Sequence, residues 1–402
     1  MALRHSTRVN WLIATGHFLA HFYVLCLPPL FIAWQAAFHV SFAELGLALA
    51  LMSATTAVLQ TPVGFLVDRH GARAFLVGGV VLMSAGIAAM GFATSYWQIV
   101  LFAVLSGAGN SVIHPADYAI LSGSVEKERI GRAFALHTFA GNVGFSAAPP
   151  TMALLMVTVG WRTSVIAVGL IGVLAAGAIL AQSGILKGQA RKPAHAEAAV
   201  SGRKLLVSAP MLLFFGFYAL GAMAGSGVQA WLITVLHRVH GVGLADASSA
   251  LTGFTVGATV GVLLGGYFVD NFSGRLLSFT VVVSVASALL LLLVNALGMP
   301  VVLVIGTTFA AGLALGCTRT PRDMMLREAV PPGEMGKVFG FVSAGLPLGS
   351  ALTPVPFGFL IDRGHPELIL VLAAALLVLS LVCVAAARGA ARRGAPAVAP
   401  AE

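Results

Sequence analysis

The sequence predicts an all-α membrane protein with twelve transmembrane helices, arranged as two six-helix bundles that are related by pseudo-symmetry. Three observations support this prediction: a very apolar composition, room for twelve spans, and an internal repeat. Apolar residues make up 58% of the 402 residues and charged residues only 9%, and the mean hydropathy is +0.96. Soluble domains contain about 45–50% apolar and about 25% charged residues, so this composition excludes a soluble globular protein.

Twelve stretches are long and apolar enough to cross a membrane, since a transmembrane helix needs about 20 mostly apolar residues. The first stretch, residues 11–34, is too long for the core of a cleavable signal peptide, so we expect none. All three cysteines fall inside spans, so we expect neither a disulfide framework nor a zinc site on them. The predicted spans lie near residues 10–34, 42–67, 73–94, 97–123, 131–158, 161–184, 206–236, 245–269, 274–297, 300–323, 335–362 and 366–388.

The positive charges are distributed unevenly between the two sides of the predicted membrane. The formal net charge is +9, and with twelve spans 20 of the 23 Lys and Arg residues fall on the side that holds both termini. Only Arg162, Arg238 and Arg363 fall on the other side. This asymmetry follows the positive-inside rule, so we expect both termini to face the cytoplasm. The same distribution favours a lipid bilayer over nucleic acid as the reason for the positive charge.

A repeat divides the chain near its midpoint. The longest polar interruption, residues 187–204, predicts a cytoplasmic linker between an N-terminal bundle (residues 1–186) and a C-terminal bundle with a short polar tail (residues 205–402). If the halves are duplicates, matching residues should recur at separations near 200. They do so in order, as Gly64/Gly266 and Asp68/Asp270 at 202, Pro115/Pro321 and Asp117/Asp323 at 206, and Gly141/Gly345 and Pro150/Pro354 at 204.

The repeat also indicates a function. Because each half has an even number of spans, the halves insert in the same orientation, as parallel repeats about an axis along the membrane normal. Two such bundles leave a seam where a polar substrate can bind while the bundles rock to open alternately to either face. This arrangement predicts a transporter. The sequence has no GxxxxGK[ST] loop for binding ATP, and we expect no cofactor.

The loop after span 2, GFLVDRHGAR, carries the most specific local pattern. Its glycines allow close backbone approach and a tight turn, and its aspartate can face the positive N-terminal end of a neighbouring helix. Its arginines can pair with acidic groups, so we expect the loop to hold the cytoplasmic ends of the bundles together until the transporter opens inward. For the arginines alone, positive-inside charge is an equally good explanation. The predicted gating residues are Gly64, Asp68, Arg69, Gly71 and Arg73, with Asp270 and Arg275 in the second copy.

GFLVDRHGAR resembles the loop 2–3 pattern of the major facilitator superfamily, and the twelve spans in two repeats extend this resemblance over nearly the whole chain. GHFLAHFYVLCLP in span 1, HPAD in span 4 and GNVG in span 5 are similar to the fosmidomycin-resistance-type branch. The resemblance implies the major facilitator fold, a bacterial-type cytoplasmic (inner) membrane, and export by proton antiport.

Three departures from the pattern weaken the implied antiport mechanism. The branch usually has an aspartate in helix 1 where this sequence has His21, so a coupling carboxylate is replaced or lost. The helix 4 arginine of drug–proton antiporters would align near Ala103 and is absent. Their helix 5 Gly-Pro pattern is incomplete, because AAPP lacks the glycine.

Several polar side chains lie inside predicted spans, where an ionised group at the bilayer centre costs about 2.5–3.5 kcal/mol on insertion scales. His17 and His21 share one face of span 1, and His114 and Asp117 flank Pro115, which we expect to bend span 4. We expect these side chains to face the bundle interior as part of a substrate or proton pathway. The full candidate set is His17, His21, His114, Asp117, Asn142, Arg319 and Asp323.

The candidates also have plainer explanations. The histidines can be hydrogen-bonded packing residues, and Asp117 can pair with Arg129 or Arg132 near the cytoplasmic interface. Arg319 lies deep enough to hold a carboxylate or phosphonate, whereas snorkelling to the interface explains the other arginines of span 10. Two histidines four residues apart can ligate a metal, but no third ligand is evident nearby, so we predict no metal site.

The sequence thus favours a secondary transporter that exports a small polar or amphiphilic compound against proton influx. The alternative within transport is proton-coupled uptake of a small organic anion, which the missing antiporter patterns and the cationic candidates favour. A membrane-embedded enzyme would need a catalytic constellation, and neither a Ser-His-Asp set nor paired carboxylates are placed for one. A channel is a third possibility, which downhill flux without saturation would reveal. We expect a monomer whose partners are the substrate, protons and the bilayer.

Overall fold

The computed structural model describes residues 2–126, 129–187, 205–296, 298–330 and 335–394. Over these ranges the chain consists of helices joined by short turns, without a β-strand. The predicted linker lies outside the described residues except for Lys187.

Eleven helical stretches of the described residues are long and apolar enough to cross a membrane. One of them is a double span. Its helix, Ile130–Gln182, has 53 residues and would extend about 80 Å at 1.5 Å per residue, far more than a bilayer core of about 30 Å. At Gly160 the backbone turns with a φ of +74°, which separates two spans. The described ranges therefore hold twelve spans, as predicted.

The spans are numbered here in chain order, and several contain internal breaks. Spans 1 to 6 comprise Ala2–Leu25 with Pro28–Leu30 and Phe31–Phe38; Phe42–His70; Ala72–Met90; Tyr96–Asn110 with Ile113–Ser124; residues 130–159; and residues 161–182 with Ser183–Ile185. Spans 7 to 12 comprise Ala209–His240; Leu244–Phe272; Leu276–Ala296, after the short turn Ser273–Arg275; Val301–Cys317 with Arg319–Ala329; Met335–Ser343 with Gly345–Leu352 and Pro354–Asp362; and Leu368–Gly394.

Spans 4 and 10 break at corresponding places in the two halves. Span 4 is interrupted at Ser111–Val112, just before Pro115, and span 10 at Thr318, just before Pro321. Proline has no N–H for the carbonyl four residues earlier, and its ring clashes with that carbonyl, so the helix bends there. The bend predicted at Pro115 is confirmed, and its repeat at Pro321 shows that both halves use the same device.

Small residues bring neighbouring spans into backbone contact inside each half. In the C-terminal half, a Cβ atom on Gly257 or Gly261 of span 8 would collide with backbone atoms of span 10. In the N-terminal half, Gly107 of span 4 packs against the backbone of Met52 in span 2. Lipid tails are as apolar as the spans, so close packing of this kind is a main source of helix association in a membrane.

The two halves meet at the face opposite the termini, called the far face below. The Asp362 carboxylate at the end of span 11 accepts hydrogen bonds from the backbone N–H groups of Phe42 and Ala43, at 2.7 and 2.8 Å. These N–H groups belong to the first turn of span 2, where a helix lacks its own acceptors and favours negative charge. The Phe31 ring of span 1 also packs on Trp231 of span 7, with centroids 5.0 Å apart. The contact therefore combines a charged cap with aromatic packing.

At the face that carries the termini, the apolar cores of the halves are separate. The larger buried cluster runs through the N-terminal half and into the far-face part of the C-terminal half. A second cluster lies in the termini-face part of the C-terminal half, and none of its described members comes from the N-terminal half. It includes Met211, Phe214, Tyr218, Val269, Met325 and Val338. The seam between the halves is therefore closed at the far face and opens towards the termini.

We expect Asp362→Ala to weaken closure of the far face, because the first turn of span 2 loses its acceptor, a change that costs about 0.5–2 kcal/mol at helix N-caps. Spin labels at Ala37 and His365, on opposite halves of this face, should show a larger population of long distances by pulsed electron resonance. Asp246→Ala is the matched control, because this exposed carboxylate at the same face forms no hydrogen bond with the described residues. Unchanged distances in the Asp362 variant would contradict the assignment.

Candidate functional site

Four histidines and one aspartate cluster where spans 1, 4 and 5 meet. The sequence-predicted residues His17, His21, His114 and Asp117 all belong to the cluster, and His137 of span 5 joins them. The His17 ring stacks on His137 with centroids 3.6 Å apart and lies 5.1 Å from His114. The structure thus brings together side chains that are up to 120 residues apart in sequence.

Hydrogen bonds connect four of these residues into a chain. His137 donates from Nε2 to Asp117 Oδ2 at 2.9 Å, and its backbone carbonyl accepts from His17 Nδ1 at 2.6 Å. His17 Nε2 lies 2.9 Å from His21 Nε2. The carbonyl can only accept, so neutral His17 carries its proton on Nδ1 and its Nε2 accepts from His21. The chain therefore runs from Asp117 to the His137 ring, and separately from the His137 backbone carbonyl through His17 to His21, while the His17 and His137 rings are only stacked on each other.

Burial decreases along this chain. Asp117 is 0% exposed and His17 and His137 are each 3% exposed, whereas His21 and His114 are partly exposed. The alternative in which Asp117 pairs with a nearby arginine is wrong, because its partner is His137. Asp117 is thus the buried end of the chain and His21 its partly exposed end, while His114 lies beside the chain without a hydrogen bond to it.

The GNVG sequence of span 5 makes room for the cluster. A Cβ atom at Gly141 would lie 2.7 Å from His17 Cε1 and 3.1 Å from His21 Cδ2, and one at Gly144 would collide with the backbone of Phe18. Span 5 can approach span 1 this closely only because both positions lack a side chain. His137 precedes Gly141 by one helical turn and so shares its face. Sequence reasoning missed His137, although this spacing was the available signal.

Asn142 and Asp323 do not join the histidine cluster, and each forms its hydrogen bonds within its own half. Asn142 donates from Nδ2 to the carbonyl of Thr138 one turn earlier, at 3.1 Å. Asp323 accepts from Tyr218 Oη at 2.7 Å and from Arg322 Nε at 2.9 Å. Asp323 is the repeat counterpart of Asp117, yet its side chain is 48% exposed. The two halves therefore use equivalent carboxylates differently.

Arg319 faces the histidine cluster from the other half. Its guanidinium group is half-buried in span 10 and lies close enough to His21 for their charges to interact. Among the described residues, no side chain or carbonyl forms a hydrogen bond or an ion pair with it. A cation without a partner among the described residues is thus available near the partly exposed end of the histidine chain.

Among the described residues, the charged side chains of the predicted gating loops form no ion pair between the halves in this conformation. Span 2 ends at His70 and span 3 begins at Ala72, so Gly71 alone makes the turn, with a φ of +92°. A Cβ atom at Gly64 would meet only Pro115 Cβ, at 3.9 Å, so the expected close backbone approach is absent here. The charged residues of these loops are exposed and form no ion pair with any described residue. They are Asp68, Arg69, Arg73, Asp270 and Arg275.

The cluster also changes one expectation about metals. The expectation that no third ligand lies near His17 and His21 is wrong, because one ligand nitrogen from each of these residues and from His114 lies within 4.8 Å of the others. The pair on span 1 therefore has a partner on span 4, which linear spacing does not reveal.

Comparison with known proteins agrees with this architecture. The family model of the Major Facilitator Superfamily matches residues 13–248 and 232–402. The fosmidomycin resistance protein of Escherichia coli (strain K12) is 24% identical over 371 residues, which cover 90% of this chain and 87% of that protein. The MFS-type transporter YfnC of Bacillus subtilis (strain 168) is 25% identical over 365 residues, covering 87% and 86%.

A solved structure shows the same fold. A bacterial homologue of the human lysosomal transporter Spinster, in an inward-facing and occupied conformation, superposes with a TM-score of 0.76. It is 17% identical, and the match covers 96% of both chains. Together with the family match, this confirms both the predicted fold and the prediction of a transporter rather than an enzyme. The chain belongs to the Major Facilitator Superfamily of membrane transporters.

Proposed function

We propose that this protein is a secondary active transporter that works by alternating access and exports a small polar or amphiphilic compound by proton antiport. The observation that carries the proposal is the hydrogen-bonded chain from buried Asp117 to the partly exposed His21. Polar groups inside a membrane span are costly and typically mark ion or proton pathways. A carboxyl group and imidazoles gathered in one buried cluster offer several sites that can bind a proton and hold it out of contact with water.

The orientation follows from the positive charges. With both termini in the cytoplasm of a cell with an inner membrane, the seam of this conformation opens inward, and the cap formed by Asp362 closes the outer side. The similar Spinster homologue is described as inward-facing, which supports this assignment. The moving units are the two halves, residues 1–186 and 205–402, which act within one monomer.

The proposed cycle exchanges one set of contacts between the halves for another. Opening outward breaks the bonds of Asp362 to span 2 and separates Phe31 from Trp231. The exposed charges of the gating loops then meet across the cytoplasmic face and close it. Such a cycle requires the gating loops to be apart in the inward-open state. Their charged residues form no ion pairs with described residues, as this requires.

Coupling is assigned to Asp117 and the histidines. In the interior of a bundle, protonation of the carboxylate or of its imidazole partner changes the charge that the bundle holds and hence the conformation it favours. His21 occupies the position where related proteins usually carry an aspartate, and Asp117 supplies a carboxylate from span 4 instead. A proton taken up from outside at His21 and released inside would drive export of the substrate.

The alternative is proton-coupled uptake of a small organic anion, and Arg319 favours it. Arg319 has no partner among the residues that the structure describes, and a guanidinium group provides the planar pair of donors that binds carboxylate or phosphonate groups well. The two proposals place the same residues in the pathway and differ in the direction in which substrate and proton move.

We expect Asp117→Asn to abolish coupled proton movement, because an amide cannot exchange the proton. The purified protein would be reconstituted in liposomes that contain a pH-sensitive dye, and phosphonates, carboxylates and amphiphilic antibiotics would be screened for induced proton flux. Protons that move opposite to substrate support export, and protons that move with substrate support uptake. Asp246→Asn, which alters a carboxylate at the far face, should retain the flux. If Asp117→Asn and Asp246→Asn show the same substrate-induced proton flux, Asp117 does not belong to the coupling pathway.

Gly141→Ala should impair transport while the protein still folds. The added methyl group would press on the imidazoles of His17 and His21, and overpacking of this kind costs about 1–3 kcal/mol. The expected result is at least a tenfold fall in substrate-driven flux with a monodisperse elution profile. Gly177→Ala is the matched control, because nothing lies within 4 Å of the added atom. Wild-type flux in the Gly141 variant would show that the cluster tolerates displacement.

The role of Arg319 is tested by Arg319→Ala, which should reduce transport of anionic substrates at least tenfold, while Arg319→Lys retains part of it. The exposed Arg327 of the same span provides the control substitution, Arg327→Ala, with transport expected to be unchanged. If neutral and anionic substrates lose transport equally in Arg319→Ala, the arginine supports the structure and does not bind the substrate.

A further inference from the structure

We propose that His17, His21 and His114 form a binding site for one divalent transition-metal ion, best matched by Zn²⁺. The three residues come from two spans, and a ligand nitrogen of each lies within 4.8 Å of the others. Neutral imidazole is a preferred ligand of Zn²⁺ and of the neighbouring ions Co²⁺, Ni²⁺ and Cu²⁺. Three histidine ligands with a fourth position open is also a known coordination pattern of zinc.

The distances in the cluster are close to those that zinc requires. Zn–N bonds of about 2.0–2.1 Å in a tetrahedral site place the ligand nitrogens about 3.4 Å apart. His17 Nε2 and His21 Nε2 are 2.9 Å apart, because they share a proton in a hydrogen bond. A metal ion would replace this proton and bind both nitrogens through their lone pairs. The His114 nitrogen lies within 4.8 Å of the other two, so the His21 and His114 rings would have to rotate towards the ion to complete the set.

The surroundings of His17 already have the form that supports a metal ligand. A ligating histidine almost always donates its other ring N–H to a carbonyl or carboxylate, which fixes the ring and its tautomer. His17 donates from Nδ1 to the carbonyl of His137, so its Nε2 lone pair points to His21. His137 in turn is held by Asp117 at 2.9 Å. The most buried ligand is therefore preoriented by a second layer of hydrogen bonds.

The other two ligands are free to turn towards an ion. The Nδ1 atoms of His21 and His114 are buried and form no hydrogen bond with any described residue. No second bond therefore fixes either ring, although His21 contacts the Phe145 ring edge-on, with centroids 4.3 Å apart. Unpaired buried imidazole nitrogens are costly in an apolar interior, and a ring that turns to bind the ion through Nδ1 removes that cost.

The charges around the site indicate which fourth ligand would complete the coordination of the ion. Asp117, connected to His137, places a carboxyl group behind the ligands. Arg319 of the other half lies near His21 and disfavours a bare cation. Arg319 therefore favours an anionic fourth ligand, such as hydroxide or a carboxylate, which both the ion and the guanidinium group can bind. The fourth position lies on the seam, where His21 and His114 are partly exposed.

The test is metal binding by the purified full-length protein after removal of any affinity tag. Calorimetric titration with Zn²⁺ should show one saturable site per chain, and Co²⁺ should give the intense visible absorption of a four-coordinate ion. The affinity for Zn²⁺ and for Co²⁺ should fall at least tenfold in His21→Gln and in His114→Gln. His70→Gln, which alters an exposed histidine, should bind like the wild type. Binding should weaken as the pH is lowered, since protons compete with the metal ion for imidazole nitrogen.

Thermal unfolding without metal would show that the variants are folded, and stabilisation by Zn²⁺ should disappear only in the two cluster variants. No saturable binding to the wild type, equal binding in the variants, or the weak spectrum of six-coordinate Co²⁺ would each overturn the proposal. Metal binding needs no substrate, so this result is independent of the direction and coupling of transport.

Discussion

A carboxylate that is completely buried between membrane spans constrains the whole N-terminal half. Asp117 cannot be left unpaired there, because a buried charge needs both hydrogen bonds and neutralisation. His137 supplies the partner, which fixes how span 5 lies against span 4. The stacking of His137 on His17 then brings span 1 to the same point, and the glycines of span 5 make the approach possible. The same contacts thus form the site and set the packing of spans 1, 4 and 5.

The two halves show how a duplicated bundle can diverge without changing its shape. Both retain the broken fourth helix, with proline and aspartate at matching positions. In both, glycines of the fifth helix allow it to pack against the backbone of the first helix. The aspartate of the second copy pairs with Tyr218 and Arg322 in a more exposed setting, which suits contact with solvent or substrate better than storage of a proton. Duplication preserved the backbone device, and the chemistry of each copy then changed separately.

The architecture was largely predictable, because membrane insertion depends on properties that can be read from the linear sequence. Span length, the distribution of Lys and Arg and the paired offsets all report on such properties, and the twelve spans and the bend at Pro115 agree with them. The partner of Asp117 was not predictable in this way. It depends on which faces of three helices meet, and this rotation is set by packing at Gly141 and Gly144. His137 and the approach of His114 to His17 became visible only in three dimensions.

The cap on span 2 has a consequence for the resting population of the transporter. Without substrate, the outward-open form must hydrate the N–H groups that Asp362 satisfies and must also expose the aromatic surface of Phe31 and Trp231 to water. The inward-open form pays no comparable penalty at its own open face, where each half keeps a separate apolar core. A difference of about 1.4 kcal/mol already gives a tenfold excess of one form. The protein should therefore wait with its seam open at the face that carries the termini, so that cargo arriving from that side can enter.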